Sequence, residues 1–161
     1  MDSKTVQQVF DEIWVPAMNL LPAKMRSNKA DLIGLTIGLQ ESELQHRHQI
    51  GGPAHGLWQF EKGGGTRGVL TYAMTAGYAK EIQQELGHGS GVNAAFDAIE
   101  KDDKFAAVMA RLLMWSDPFP LPEVDQVQRA WKFYERTWRP GKPHPSKWST
   151  NHKLIRETLK I

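Results

Sequence analysis

Glu41 is the residue on which a chemical reading of this chain turns. It falls near the end of a helical pattern, in Gly38-Leu-Gln-Glu-Ser-Glu-Leu44. Ile33, Ile37, Gln40, Glu41 and Leu44 recur at helical spacing on roughly one side. With that side turned inward, the carboxyl sits against apolar neighbours. Desolvation and the negative end of the helix dipole then both disfavour its charge. A carboxyl still protonated near neutral pH is what glycosidic cleavage asks of its general acid. Taken alone, the segment favours a bland reading, an exposed glutamate closing a surface helix.

Fifteen residues after Glu41 comes Gly56-Leu57-Trp58-Gln59-Phe60, preceded by Gly52-Pro53-Ala54. The two segments together resemble the soluble lytic transglycosylases and the wider goose-type lysozyme superfamily. That family's signature is a Glu-Ser pair ending a helix, then a Gly-Ala-x-Gly-Leu-Met-Gln stretch. Here Glu41-Ser42 is the pair, and Pro53-Ala54-His55-Gly56-Leu57-Trp58-Gln59 follows at the family's spacing. Pro stands in the first Gly place and Trp in the Met place. The likeness covers residues 29–140 and is strongest over 38–61.

The resemblance implies a role for each matched residue. Glu41 is the catalytic acid. Ser42 can donate a hydrogen bond beside it, and Gly56 lets the backbone approach a sugar where a side chain would obstruct. Gln59 offers an amide donor and a carbonyl acceptor to an N-acetyl or hydroxyl group. Trp58 presents a flat face for a pyranose ring, or else belongs to the core. Of the nearby carboxylates Glu43 and Glu61, both read as solvated, Glu61 is the one expected to reach a cleft. The family's Tyr-Asn-Ala-Gly motif, whose tyrosine points at the acid, is missing. Tyr134 is the choice for that tyrosine because it lies on a late helix; Tyr72 and Tyr78 are the other candidates.

The implied reaction breaks the β-1,4 bond between N-acetylmuramic acid and N-acetylglucosamine in bacterial peptidoglycan. Glu41 protonates the bridging oxygen, and its carboxylate then acts as base. In a lytic transglycosylase the base activates the muramic C6 hydroxyl and closes a 1,6-anhydro ring; in a lysozyme-type muramidase it is water that attacks. An inverting hydrolase needs a second carboxylate ~6.5–9.5 Å away, and no obvious one stands in the matched segment, which favours the transglycosylase. The likeness and the small size suggest a phage-type muralytic enzyme, an endolysin or a virion-associated protein, monomeric and needing no cofactor. Asp2, Asp11 and Glu12 interrupt the place where a signal peptide would be apolar. The expectation is synthesis in the cytoplasm without a signal peptide, and action on the cell wall.

Other chemistries read less well. His46, His48 and His55 offer three imidazoles, as catalytic zinc requires. His46 and His48 are two apart at a helix end, however, and no helical His-Glu-x-x-His pair exists, so no metal is expected. Gly63-Gly64-Gly65 lacks the Gly-Lys-Ser/Thr ending and the preceding strand of a phosphate loop, and reads as a flexible turn. From residue 129 onward nine Lys/Arg stand against Glu135 and Glu157, net +7, whereas residues 1–128 are net −5. That basic end suits an anionic wall polymer, or simply balances the acidic body. With Trp131, Phe133, Tyr134, Trp138 and Trp148 among its cations it could instead stack nucleic-acid bases. Positions 131, 134 and 138 share one helical face, as core aromatics do, so a nucleic-acid partner is not expected. A structural virion protein retaining the fold is a further alternative.

The elements that must position these residues are helical. The 161 residues include no cysteine, 40% are apolar, and no run approaches the ~18 apolar residues of a membrane span. Leu and Ala outnumber Val and Ile, favouring helix. Apolar periodicity predicts helices over 5–21, 28–44, 66–86 (with Gly87 as C-cap), 103–115, 124–138 and 150–159. Glycine and proline make 45–65, 117–122 and 140–145 irregular. No stretch alternates as a strand. The expected architecture is one mainly α domain spanning 1–161, lysozyme-like, with an irregular active-site loop region.

Overall fold

The helix that carries Glu41 is apolar on nearly every side, and such a helix is stable only inside a protein. In the computed structural model, which describes residues 3–161, it does run through the interior. The chain is mainly helical, as composition and periodicity predict. It opens with α1 (Ser3–Val9), which passes through a π-helical stretch, Phe10–Trp14, into the short α2 (Val15–Met18). Next comes α3 (Asn28–Ser42), started by the Ser27 side chain, whose oxygen accepts the Ala30 N–H at 3.1 Å. Then follow α4 (Arg67–Thr71), α5 (Ala76–Glu85), α6 (Val92–Lys101), α7 (Asp103–Trp115), α8 (Val127–Trp138) and α9 (Pro145–Leu159).

Two buried helices organise the core. Phe105 to Leu112 of α7 are all buried, including Arg111, which donates to the Met25 carbonyl at 2.7 Å. Helix α3 lies against both α7 and α9. Trp14 passes over α3 at Gly34, where a Cβ would stand 2.2 Å from the indole ring. Trp58 packs 5.6 Å from Trp14 and donates its Nε1–H to the Gly34 carbonyl at 2.7 Å. Burying both large rings, with their polar edges satisfied, anchors the first third of the chain on α3.

The structure departs from the predicted elements in three places. The helix expected over 66–86 is broken at 72–75, because Tyr72 turns extended and the buried Thr75 hydroxyl donates to the Val69 carbonyl at 2.7 Å. Helix α6 was not foreseen; its alternation of small and large apolar residues is short, and only Ala95, Ala98 and Ile99 are fully inside. Helix α9 begins at Pro145 rather than at residue 150, with proline in the first turn, where its missing N–H costs nothing. Gly87 does follow the end of α5 with a positive φ of 79°, as a C-cap glycine should.

Candidate functional site

Helix α3 ends abruptly just past Glu41. Glu43 and Leu44 are both left-handed (φ 58° and 53°), and the Leu44 N–H turns back to the Gly38 carbonyl at 3.3 Å. Glu41 therefore occupies the last turn of a buried helix, where its side chain meets a cleft of about 1150 Å³. From the other wall Tyr134, on α8, donates its hydroxyl hydrogen to Glu41 Oε2. Burial pushes the Glu41 carboxyl up from 4.5 to about 7. The Tyr134 hydrogen bond opposes that rise by favouring the carboxylate, and the nearby carboxylate of Glu61 adds to it. Near neutral pH the group is thus divided between acid and base.

Tyr134 is itself held firmly. It is buried, stacks on Trp148 of α9 (5.2 Å, 14° between planes) and touches Trp131 at 5.4 Å. Its hydroxyl is pushed well above the ordinary phenol range by burial first and then by the Glu41 charge, so it stays a donor. These aromatics pack on one another inside the protein: Trp131, Phe133, Tyr134 and Trp148 are all buried. They offer no platform for stacking bases.

The loop between α3 and α4 is a wound turn pinned from three directions. His55 and Phe60 exchange backbone hydrogen bonds at 2.8 Å, closing Gly56–Gln59 into a tight turn. The Ser42 hydroxyl donates to the Leu57 carbonyl at 2.6 Å. The Trp138 indole N–H, from the end of α8, donates to the Trp58 carbonyl at 2.9 Å. Gly56 lies against α6 with φ 81°, where a Cβ would meet Ile99 O at 2.8 Å and Ile99 Cγ2 at 2.7 Å.

Three expected site residues therefore have different roles. Ser42 does not hydrogen-bond Glu41; its hydroxyl goes to the Leu57 and Gly38 carbonyls and fastens the loop. Trp58 is fully buried and cannot stack a sugar. Gly56 admits the backbone of α6, not a sugar, because its open side is filled by Ile99. The motif builds the floor of the site and leaves contact with a ligand to its last residues. Gln59 (φ 53°), Phe60 and Glu61 do line the cleft. The Gln59 amide nitrogen is taken by the carbonyls of Gly56 (3.0 Å) and His46 (3.5 Å), so its own carbonyl oxygen remains for a ligand. Of the other two tyrosines, Tyr72 is exposed and Tyr78 packs against the core from α5.

The cleft also holds residues that the sequence reading missed. Asp117 and Arg136 form a bidentate pair across it (2.8 and 2.9 Å). Thr137 lines it too, three positions from Tyr134, as does Trp138, which helical spacing already places on Tyr134's face. Arg139 and Lys142 stand on the rim, and Lys62–Thr66 winds into a π-helical turn whose glycines form part of the wall. Asp117 carries no local signal, since it reaches the cleft only through the turn after α7. No helix is long and apolar enough to cross a membrane among the described residues. Compared with known proteins, the chain matches no family model and has no significant match among curated proteins or solved structures.

Proposed function

We propose that this protein cleaves the glycan strands of bacterial peptidoglycan, with Glu41 as the general acid and base. One observation carries the reading: a carboxyl brought to about 7 by burial, hydrogen-bonded by Tyr134, at the wall of a cleft of about 1150 Å³. Protonated Glu41 transfers its proton to the oxygen linking N-acetylmuramic acid to N-acetylglucosamine, and the bond to muramic C1 breaks. The Glu41 carboxylate so formed accepts the Tyr134 hydrogen bond, which is stronger to a charged oxygen. It then takes the proton of the muramic C6 hydroxyl as that oxygen bonds to C1. A 1,6-anhydro ring forms, Glu41 is protonated again and no water is consumed. Arg139 and Lys142 on the rim suit a substrate bearing carboxylates.

A hydrolytic variant has one observation in its favour. Glu61 lines the same cleft and raises the Glu41 carboxyl electrostatically, so a second carboxylate is present there as a candidate to activate a water. Mass spectrometry of digested peptidoglycan tests both. Anhydromuropeptides, lighter by one water than the hydrolysed products, are expected. Reducing ends would select the hydrolytic route, and intact strands after prolonged digestion would contradict the proposal.

A further inference from the structure

On the outer side of the same loop, away from Glu41, the chain brings together two imidazoles and a carboxylate. His48 and His55 are paired across an isolated antiparallel bridge, which sets their side chains on one face. Their ring centroids are 5.2 Å apart. Glu100, on the last turn of α6, reaches His48 Nδ1 with Oε1 at 2.7 Å. One nitrogen from each ring and one Glu100 oxygen all lie within 4.8 Å of one another.

The geometry points to a binding site for a divalent transition-metal ion, zinc foremost, with His48, His55 and Glu100 as its ligands. His55 Nδ1 lies 3.0 Å from the Phe96 carbonyl, which can only accept, so Nδ1 carries the hydrogen. The lone pair of a neutral ring is then on Nε2. The ring is clamped on Phe96, 3.7 Å between centroids and 5° between planes. A backbone carbonyl holding one ring nitrogen so that the other can bind is the usual support of a metal-ligating histidine. Imidazole with carboxylate suits zinc, copper or nickel better than magnesium or calcium. Tetrahedral zinc, with bonds of about 2.0–2.1 Å, sets its ligand atoms about 3.3 Å apart. The exposed His48 side chain can turn to close the remaining gap. The ion takes the place of the hydrogen between His48 and Glu100; in the neutral ring that hydrogen moves by way of solvent to His48 Nε2, leaving the Nδ1 lone pair for the ion.

The expectation of no metal weighed only His46, His48 and His55, and set them aside because His46 and His48 are two apart with no helical His-Glu-x-x-His pair. The structure sends His46 to the cleft and supplies Glu100, 52 residues beyond His48. The site would act as a clasp. Gly56 seats the loop on Ile99, between Phe96 and Glu100 on α6, and Arg47 holds Asp103 at the start of α7 (2.7 and 2.8 Å). A bound ion would fasten the same loop, which carries Gln59 into the cleft, to α6. Nothing in this inference depends on what the cleft cleaves.

The test is zinc titration of chelator-treated protein, followed by calorimetry and thermal unfolding. One ion per chain is expected, with Tm rising by about 5–10 °C at a hundredfold excess over Kd. His48→Ala, His55→Ala and Glu100→Gln should each weaken zinc binding more than about tenfold, and His46→Ala should leave it unchanged. In the wild-type chain, zinc should move the imidazole NMR signals of His48 and His55 and not those of His88 or His152, which guards against a variant that misfolds. No binding, equal binding in Glu100→Gln, or signals moving only at other histidines would overturn the assignment.

Discussion

Tyr134 donates its phenolic hydrogen to Glu41, joining the end of α3 to α8 across 93 positions of sequence. The contact fixes the carboxyl in the cleft and stabilises its charged form, which in the proposed cleavage is the form left after proton transfer. Tyr134→Phe keeps the ring stacked on Trp148 and removes only the donor. The expected result is a loss of about 10–100-fold in rate, with the alkaline limb of the pH–rate profile displaced to higher pH. An unmoved profile would mean that the hydroxyl does not act on Glu41.

Burial of Glu41 has a cost that stability measurements can read. Its folded-state pKa, about 7, lies above its ordinary value of 4.5, so the folded chain holds the proton more tightly. The stabilisation is complete below pH 4.5 and is lost as pH rises to about 7, about 3 kcal/mol in all. Glu41→Gln has no proton to lose. Its stability relative to wild type should therefore increase between those two pH values and level off above them, as denaturant titrations at each pH would show. A constant difference would contradict a buried, protonated Glu41.

Glu61 separates the two routes of cleavage. It raises Glu41 through its charge, so Glu61→Gln should move the alkaline limb to lower pH. In the anhydro-forming route the maximal rate stays within a few-fold of wild type. If Glu61 activates water, the rate falls by about 10²–10⁴.

Gly56→Ala tests the loop's seating on α6. Alanine would need a left-handed φ of 81° and would press its Cβ to 2.8 Å from the Ile99 carbonyl. A loss of about 2–4 kcal/mol is expected from strain and overpacking together. Thermal or denaturant unfolding checks it, and a neutral substitution would mean that the turn can be rebuilt.

Much of this site was legible because some signals are local. A carboxyl in the last turn of a largely apolar helix can be placed against apolar neighbours, and Glu41 is partly buried at the cleft wall. Tyr134 and Gln59 follow from the family resemblance, and Glu61 from its nearness to the matched motif. The facing of Ser42, Gly56 and Trp58 was not legible. A sequence gives a tight turn its residue types but not the side on which neighbouring helices lie. Here α6 occupies the face that Gly56 opens, and Trp58 packs inward beside Trp14, which fills the space that Gly34 leaves. Helix α6 itself was missed because its apolar face is short, and Glu100 was missed with it. Asp117, in the turn after α7, and Arg136, on α8, meet only in the folded chain.

The most direct measurement is the release of soluble fragments from purified peptidoglycan by the wild-type chain and by Glu41→Gln, compared at pH 6. The wild type should solubilise the wall, and the variant, which keeps the fold but has no proton to give, should be slower by about 10³-fold or more. Equal release by the two proteins would contradict the assignment of Glu41 as the acid.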